Sequence, residues 1–220
     1  MEQVFGKLIA PVQNSWYALK TAGWREAGKV LLKQVRQLVL SSAEFVILAC
    51  SIENPGNIPE PRIPVELRRG LPEDIDKLGD LVSPSSLKYF KYLFSCDGLF
   101  CFVATHEGRI IACCWASTRF APDRTRYHLN LAPWEAYVHN SYTAPEYRRL
   151  GVMSSLIAYR SMWLHNKGYR RLISLIDPNN VPSLRMDQKM GFQEIDRVKS
   201  CRILWWEKKK TQYGYPLRKS

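Results

Sequence analysis

The amino-acid sequence predicts an α/β or α+β domain, that is, a sheet whose faces are covered by helices. After about residue 64, segments with period-two hydrophobicity alternate with segments of helical period. The chain has 220 residues, of which 46% are hydrophobic and 24% charged, and it can therefore bury one sizeable core. No apolar run approaches the roughly 20 residues of a membrane span. Because the first residues also lack the features of a secretory signal, we expect a cytoplasmic protein.

The charge balance indicates an anionic partner. Lys and Arg total 32 against 20 Asp and Glu, a formal net charge of +12. Nucleic acid, a membrane surface, an acidic protein and a phosphorylated ligand all fit this surplus. The cysteines form no C-x-x-C pair and are interpreted as buried free thiols, and no accompanying motif suggests a metal. These cysteines are Cys50, Cys96, Cys101, Cys113, Cys114 and Cys201.

A proline-rich connector divides the chain near residue 60. Residues 52–64 contain four prolines and a glycine, and no regular helix survives that density. Before the connector, the spacing of apolar residues predicts a helix from Trp16 to Ser42 and a short strand from Glu44 to Ser51. Residues 1–62 are therefore predicted to be an N-terminal helical extension together with its connector.

Each element after the connector has its own local signal. Strands are indicated by alternation and by β-branched or aromatic residues, and Glu107-Gly108 is a turn between two of them. Helices are bounded by proline or acidic first turns and by glycines. In chain order we predict a strand Val65–Arg69, a helix opened by Pro72, a helix Ser85–Ser95, strands Leu99–Thr105 and Ile110–Ser117, a polar loop Pro122–Pro133, a strand Glu135–Thr143, a helix Gly151–Asn166, a strand Arg171–Ile176, a helix Val181–Met190, and strands Phe192–Val198 and Cys201–Trp206.

One strand–loop–helix segment has the features of an anion site. The strand Glu135–Thr143 leads to the loop residues Arg148, Arg149 and Gly151, and a long helix follows. The first N–H groups of a helix lack intrahelical partners and carry the positive end of its dipole, and glycine lets the backbone approach a phosphate. We therefore expect a ligand with a pyrophosphate. The motifs GxxxxGK[ST] and GxGxxG are absent, which excludes a P-loop and a dinucleotide fingerprint.

Two motifs of this region resemble those of the GNAT (Gcn5-related N-acetyltransferase) superfamily. The segment YTAPEYRRLGV, residues 142–152, is similar to the family's acetyl-coenzyme A signature V-x-P-x-[RQ]-x-x-G-x-[GA]. The segment NVPSLRMDQKMGF, residues 180–192, is similar to its element N-x-x-[AS]-x-x-x-Y-x-K-x-G-F. The resemblance spans about residues 63–207, with 208–220 left as a basic tail. It implies a mixed, mostly antiparallel central sheet flanked by helices.

The resemblance also implies an activity and a cofactor site. The activity is transfer of an acetyl or other acyl group from acyl-coenzyme A to a primary amine of a small molecule or protein. The pantetheine arm would lie where the strand 135–143 separates from the strand 171–176. Met153 stands where a small residue is usual, and Thr143 stands where valine is usual. The implied contacts of acetyl-CoA or another acyl-CoA are Tyr142, Thr143, Arg148, Arg149, Leu150, Gly151, Val152, Met153, Ser154, Asn180 and Ser183.

Candidate catalytic residues come from the strand and from the second motif. Period two places Glu135, Tyr137, His139 and Ser141 on one face. A general base is expected to be His139, which titrates near physiological pH, or Glu135 acting through water. A packing role for these side chains, and catalysis by proximity without a dedicated base, are open alternatives. Asp187 stands where many family members place the tyrosine that protonates the leaving thiolate, and a carboxylate needs a raised pKa for that role.

Other partners and functions rest on smaller signals. Basic residues in the loop 120–130 would favour an acidic acceptor amine. The helix predicted from residue 16 would lie on the domain rather than on an anionic membrane, and the basic tail is interpreted without nucleic acid. Two alternatives stay open: a long-chain N-acyltransferase supplied by acyl carrier protein, and a coenzyme A-binding module without catalysis. A homodimer is also compatible with the sequence.

Overall fold

The computed structural model describes residues 40–119, 129–203, 206–212 and 214–216. The chain forms two compact units, residues 1–44 with 198–212, and residues 45–197 with 213–220. Most of the predicted N-terminal helix and the basic part of the loop 120–130 lie outside the described residues. Within the described residues, no helix is long and apolar enough to cross a membrane.

The elements follow the predicted order. From the second strand to the last helix, the bounds differ from the predicted ones by at most a residue or two. The structure contains β1 (Leu40–Ser51), β2 (Glu66–Gly70), a 3₁₀ turn (Pro72–Asp74) that continues as α1 (Ile75–Leu78), α2 (Pro84–Phe94), β3 (Leu99–His106), β4 (Arg109–Ser117), β5 (Glu135–Thr143), a second 3₁₀ turn (Pro145–Tyr147), α3 (Val152–Asn166), β6 (Arg171–Ile176), α4 (Val181–Lys189), β7 (Gln193–Ile203) and β8 (Trp206–Thr211).

Two boundary predictions are wrong. The first helix was expected to reach Ser42, but residues 40–42 already belong to β1. The last strand was expected over Cys201–Trp206, but β7 continues to Ile203 and β8 begins at Trp206. In the smaller unit, Val198–Ile203 pairs antiparallel with Trp206–Thr211, so the lysines of residues 208–210 lie in a strand. At the second place, strand pairing overrides the local pattern.

The larger unit is built on a mixed sheet with the strand order β2-β3-β4-β5-β6-β1-β7. The pairs β2–β3, β3–β4, β4–β5 and β1–β6 are antiparallel. The pair β5–β6 is parallel, because α3 connects the two strands as a crossover. The strand β1 precedes the proline-rich connector and nevertheless pairs with β6 in the middle of the sheet.

The sheet separates two apolar clusters. One face packs against α3 and α4, and the opposite face packs against α1 and α2. The buried residues of the α3 face include Val46, Leu48, Phe102, Cys114, Val138, Leu156 and Leu172. The buried residues of the α2 face include Leu78, Phe90, Leu93, Val103, Cys113 and Trp115.

A buried carboxylate holds the 3₁₀ turn against the edge of the sheet. The guanidinium of Arg68 on β2 donates to both oxygens of Asp74, over 2.7 and 2.8 Å, and the amide of Leu71 donates to Oδ2 over 2.9 Å. Asp74 is 4% exposed. The hydrogen bonds from Arg68 hold the pKa of Asp74 below its ordinary value.

We predict that Asp74→Asn lowers the free energy of unfolding by about 2 kcal/mol, because it removes charge-assisted hydrogen bonds from a buried partner. The lowered pKa makes this contribution complete above the unfolded pKa of about 4 and lost as pH falls through the folded pKa. Urea unfolding of both proteins between pH 7 and pH 2 measures the difference. The exposed Asp76→Asn is the control and should change stability by less than about 0.5 kcal/mol. A difference that does not shrink in acid would contradict the assignment.

Candidate active site

The central feature of the site is the point at which β5 parts from β6. Parallel pairing of the two strands ends at Val138 and Ser174, whereas β5 continues along β4 to Thr143. A bulge lies between Cys113 and Trp115 of β4, and Asn140 opposite it has a φ of 50°. Bulges bend a strand and increase its twist. The bend therefore opens the gap that the family resemblance implies at this position.

The bulge also changes which side chains of β5 share a face. His139 pairs with Trp115, and paired residues point to the same face of a sheet. The ring of Tyr142 lies 5.9 Å from that of Phe90, which in turn lies 5.1 Å from Trp115. Tyr142 therefore shares the α2 face with His139, and its neighbour Ser141 points to the other face. The expected period-two set was wrong at Ser141, because a bulge shifts the alternation by one residue.

The loop after β5 has the tight backbone that an anion site needs. Arg149 and Gly151 have φ values of 65° and 84°, and Gly151 is the N-cap of α3. The Nε of Arg148 donates to the carbonyl of Thr143 over 3.2 Å, which ties the loop to the end of β5. The amides of the first turn of α3 have no acceptor within the helix.

The first side chains of α3 point inward. Val152 is 1% exposed and Met153 is 8% exposed, and both belong to the cluster on the α3 face. The large side chain of Met153 is therefore buried in the core, and its backbone amide is the part of this residue that can serve a ligand. Ser154 is half-buried, and Arg148 and Arg149 are exposed.

The second motif forms the start and the inner side of α4. Asn180 is the N-cap, and its Oδ1 accepts a hydrogen bond from the amide of Ser183 over 3.4 Å. Asn180 is exposed. Further along, the hydroxyl of Ser174 on β6 hydrogen-bonds to Asp187. Asp187 is half-buried, and burial raises its pKa above the ordinary value.

A buried arginine lies beneath the gap. Arg160 of α3 is 2% exposed, and its Nε has no hydrogen-bond partner in the described part of the chain. Its charge acts on Cys50 of β1, Cys114 of β4 and Asp187 of α4. Burial raises the pKa values of both thiols. One guanidinium on the α3 side of the sheet therefore interacts electrostatically with residues of β1, β4 and α4.

The surroundings of His139 keep its ring neutral. The amide nitrogen of Asn140 lies 2.8 Å from Nδ1. Since an amide N–H can only donate, Nδ1 accepts, and the neutral ring carries its proton on Nε2. The ring stacks on Tyr137 at 5.3 Å, and Nε2 is buried without a hydrogen-bond partner in the described residues. Burial, followed by the charge of Arg160, lowers the pKa of His139 from 6.5 to about 3.

Glu135 is held in a network at the start of β5. It is 2% exposed and forms an ion pair with Arg171 of β6, with Nε at 2.6 Å. Its Oε2 accepts from the hydroxyl of Tyr215 over 3.0 Å and from the amide of Ala132 over 2.8 Å. The amide of Tyr215 donates to Asp196 over 2.7 Å. The carboxylate thus fastens the C-terminal segment to the sheet.

The structure therefore distributes the predicted residues over several elements around the gap. The loop residues follow β5 directly and His139 lies at the bulge. Asn180 is the N-cap of α4, and Ser183 and Asp187 lie on that helix. As general bases, His139 and Glu135 stay predictions, although one has a low pKa and the other is ion-paired. Sequence reasoning missed Arg160, the one charged side chain among the buried residues of α3. Among the described residues, no group of three or more His, Cys, Asp or Glu side chains is arranged to hold a metal ion.

A model of the Acetyltransferase (GNAT) family matches residues 73–192, more than half of the chain. The chain belongs to this family. Two curated relatives are the aminoglycoside N(6')-acetyltransferases type 1 of Salmonella typhimurium and Salmonella enteritidis. Each is 36% identical over 62 residues, which is 28% of this chain and 43% of the relative. The chain thus spans less than half the length of the curated relatives it matches.

Solved structures of the same fold agree with this assignment. The structure of AAC(6')-Iy with a bisubstrate analogue has a TM-score of 0.51 at 23% identity, covering 66% of this chain and 98% of the other. A structure of the same enzyme with CoA has a TM-score of 0.50 at 23% identity, covering 66% and 95%. At these identities the structures establish the GNAT fold of the chain.

We predict that His139 makes the folded protein less stable in acid. Its pKa is about 3 in the folded protein and 6.5 as an ordinary value. Between these values the unfolded chain binds the extra proton, and the free energy of unfolding therefore falls as pH falls. The slope from this residue is at most about 1.4 kcal/mol per pH unit. In His139→Gln that part of the slope should disappear, and urea unfolding between pH 7 and pH 4 measures it. Parallel stability curves for the two proteins would contradict the low pKa of His139 in the folded protein.

Proposed function

We propose that this protein is an N-acetyltransferase that transfers the acetyl group of acetyl-CoA to a primary amine. The observation that carries the proposal is the opening of the sheet after Val138 and Ser174, continuous with a left-handed loop and the free amides of α3. An extended chain with amide groups can pair with the open edge of β5, as a strand does. A pyrophosphate at its end then meets the loop amides of Leu150 to Ser154. Membership of the acetyltransferase family supports the same cofactor.

The proposed site assigns distinct tasks to the described residues. Strand β5 and the loop hold the cofactor, which fixes the thioester near the bulge at Asn140. Asp187 is on the α3 side of the sheet, and its raised pKa makes it a better proton donor to a leaving thiolate than an ordinary aspartate. Arg160 places positive charge where negative charge develops in the transition state. Positioning of the amine against the thioester supplies the remaining acceleration.

The acceptor class follows from the curated relatives rather than from a described pocket. Both are named as aminoglycoside N(6')-acetyltransferases, and the structural neighbour was solved with an analogue made from CoA and an acetylated neamine. We therefore propose a small molecule with an exposed primary amine, and aminoglycosides are the first compounds to test. An acidic acceptor, expected from the loop 120–130, stays a prediction. The same holds for a long acyl chain delivered by acyl carrier protein.

We predict that the purified protein releases free thiol from acetyl-CoA in the presence of primary amines. A panel with aminoglycosides, polyamines, amino acids and peptides, followed by thiol release and by mass spectrometry, should give products heavier by one acetyl group. Coenzyme A binding without turnover across the whole panel would instead favour the non-catalytic module. An absence of binding at millimolar acetyl-CoA would contradict the cofactor site itself.

We predict that Gly151→Ala weakens acetyl-CoA binding about tenfold. The added Cβ would lie 3.4 Å from the Cα of Pro61 at a φ of 84°, and it would shift the loop whose amides are proposed to receive the phosphates. Isothermal titration with CoA measures the change. Gly168→Ala is the matched control, since Gly168 follows the other end of α3 with a φ of 96° and open space around its Cβ.

Both alanines carry the cost of a left-handed backbone, roughly 1 kcal/mol of stability. Only the Gly151 variant should lose affinity for CoA. Equal affinities for CoA in the two variants would place the cofactor elsewhere.

A further inference from the structure

The proline-rich connector lies directly against the loop that precedes α3. The amide of Arg62 donates to the carbonyl of Leu150 over 2.8 Å. The Cα of Pro61 lies 3.4 Å from the point that a Cβ on Gly151 would occupy. Two successive connector residues therefore lie beside two successive loop residues: Arg62 is hydrogen-bonded to Leu150, and Pro61 borders the open side of Gly151.

A third contact comes from the first turn of α3. Ser155 is fully buried, and its Oγ donates to the carbonyl of Pro59 over 2.6 Å. The same oxygen lies 3.2 Å from the carbonyl of Gly151. A hydroxyl has one hydrogen, and the shorter distance assigns it to Pro59. The connector carbonyl therefore has its partner on the helix.

We propose that residues 59–62 are a structural part of the coenzyme A site. They form a strap that holds residues 149–152 in the conformation that receives the pyrophosphate, and Ser155 is the positioning residue that fastens the strap. The inference rests on the proposed function, because it assigns a role to the same loop. It adds residues that lie outside the matched family region, which begins at residue 73.

The backbone of the loop explains why a strap is needed. Arg149 has a φ of 65°, a left-handed conformation that costs a residue with a Cβ about 1 kcal/mol or more. Such a conformation persists when its surroundings hold it. The prolines of the strap restrict its own freedom before any contact forms. The cost of ordering the loop is then met on folding rather than on cofactor binding, and that preorganisation raises affinity.

The test compares Ser155→Ala with Ser161→Ala. Ser161 lies on the same helix, and its Oγ donates to the carbonyl of Ile157 over 2.8 Å, so its loss leaves the strap intact. In Ser155→Ala we expect the Kd for CoA and the KM for acetyl-CoA to rise about three- to tenfold, as the loss of one net hydrogen bond allows. The KM for the amine acceptor should stay unchanged. Ser161→Ala should bind CoA like the wild type.

A second variant covers the case in which Ser155→Ala does not fold. Pro59→Gly combined with Pro61→Gly keeps the hydroxyl and its acceptor but frees the strap, and it should weaken CoA binding in the same direction. Unchanged CoA affinity in folded Ser155→Ala, even with a lower melting temperature, would overturn the proposal. An equal loss in Ser161→Ala would overturn it as well.

Hydrogen exchange separates this proposal from the proposed function. In the ligand-free protein, the amide of Arg62, which donates to the carbonyl of Leu150, should exchange faster in Ser155→Ala than in Ser161→Ala. If the wild type fails to bind CoA, the proposed function fails, and the exchange rates still decide whether the strap holds the loop. Equal exchange rates in the two variants would refute the strap.

Discussion

The parting of β5 from β6 is the constraint on which the rest of the molecule depends. Up to Val138 the two strands satisfy each other's backbone groups, and beyond it β5 follows β4 alone along its other edge. Backbone N–H and C=O groups need partners, so the free edge must face solvent or a ligand. The loop and α3 continue from this edge without interruption. One segment, residues 139–154, thus contains both a free strand edge and a set of helix amides. A ligand with amides and phosphates can pair its amides with the strand edge and its phosphates with the helix amides.

The bulge at Asn140 connects this backbone feature to side-chain chemistry. Because it shifts the alternation of β5, Tyr142 joins His139 on the face that carries Trp115 and α2. The opposite face at the same level belongs to α3 and α4, with Arg160 and Asp187. The gap therefore lies between an aromatic face and a charged face. This difference between the two faces results from one residue with a positive φ, Asn140. A period-two pattern in the sequence does not reveal such a residue.

Local signals explain what could be predicted from the sequence. Gly151 and Gly168 bracket α3, both with left-handed backbones, and glycines at such positions are visible without any tertiary information. Contacts between distant residues were not accessible in this way. Glu135 is hydrogen-bonded to Tyr215, 80 residues away in the sequence. Strand β1 pairs with β6 although it precedes the connector that was predicted to separate it from the domain. The conformation of the loop 148–151 is signalled by consecutive residues, whereas the connector residues that contact it could not be predicted, because Pro59 lies 96 residues before its partner Ser155.

Among the described residues, Arg160 keeps a buried permanent charge near the gap. Burial favours the neutral forms of His139, Asp187 and the Cys50 thiol, and the guanidinium of Arg160 remains. The field of this cation contributes to the low pKa of His139, and it would act in the same direction on the ammonium group of a bound acceptor. For the proposed acetyl transfer, the amine must be neutral when it attacks. A fixed cation would lower the pKa of the bound amine and would also stabilise negative charge that develops on the thioester. Both effects reduce the need for a dedicated general base.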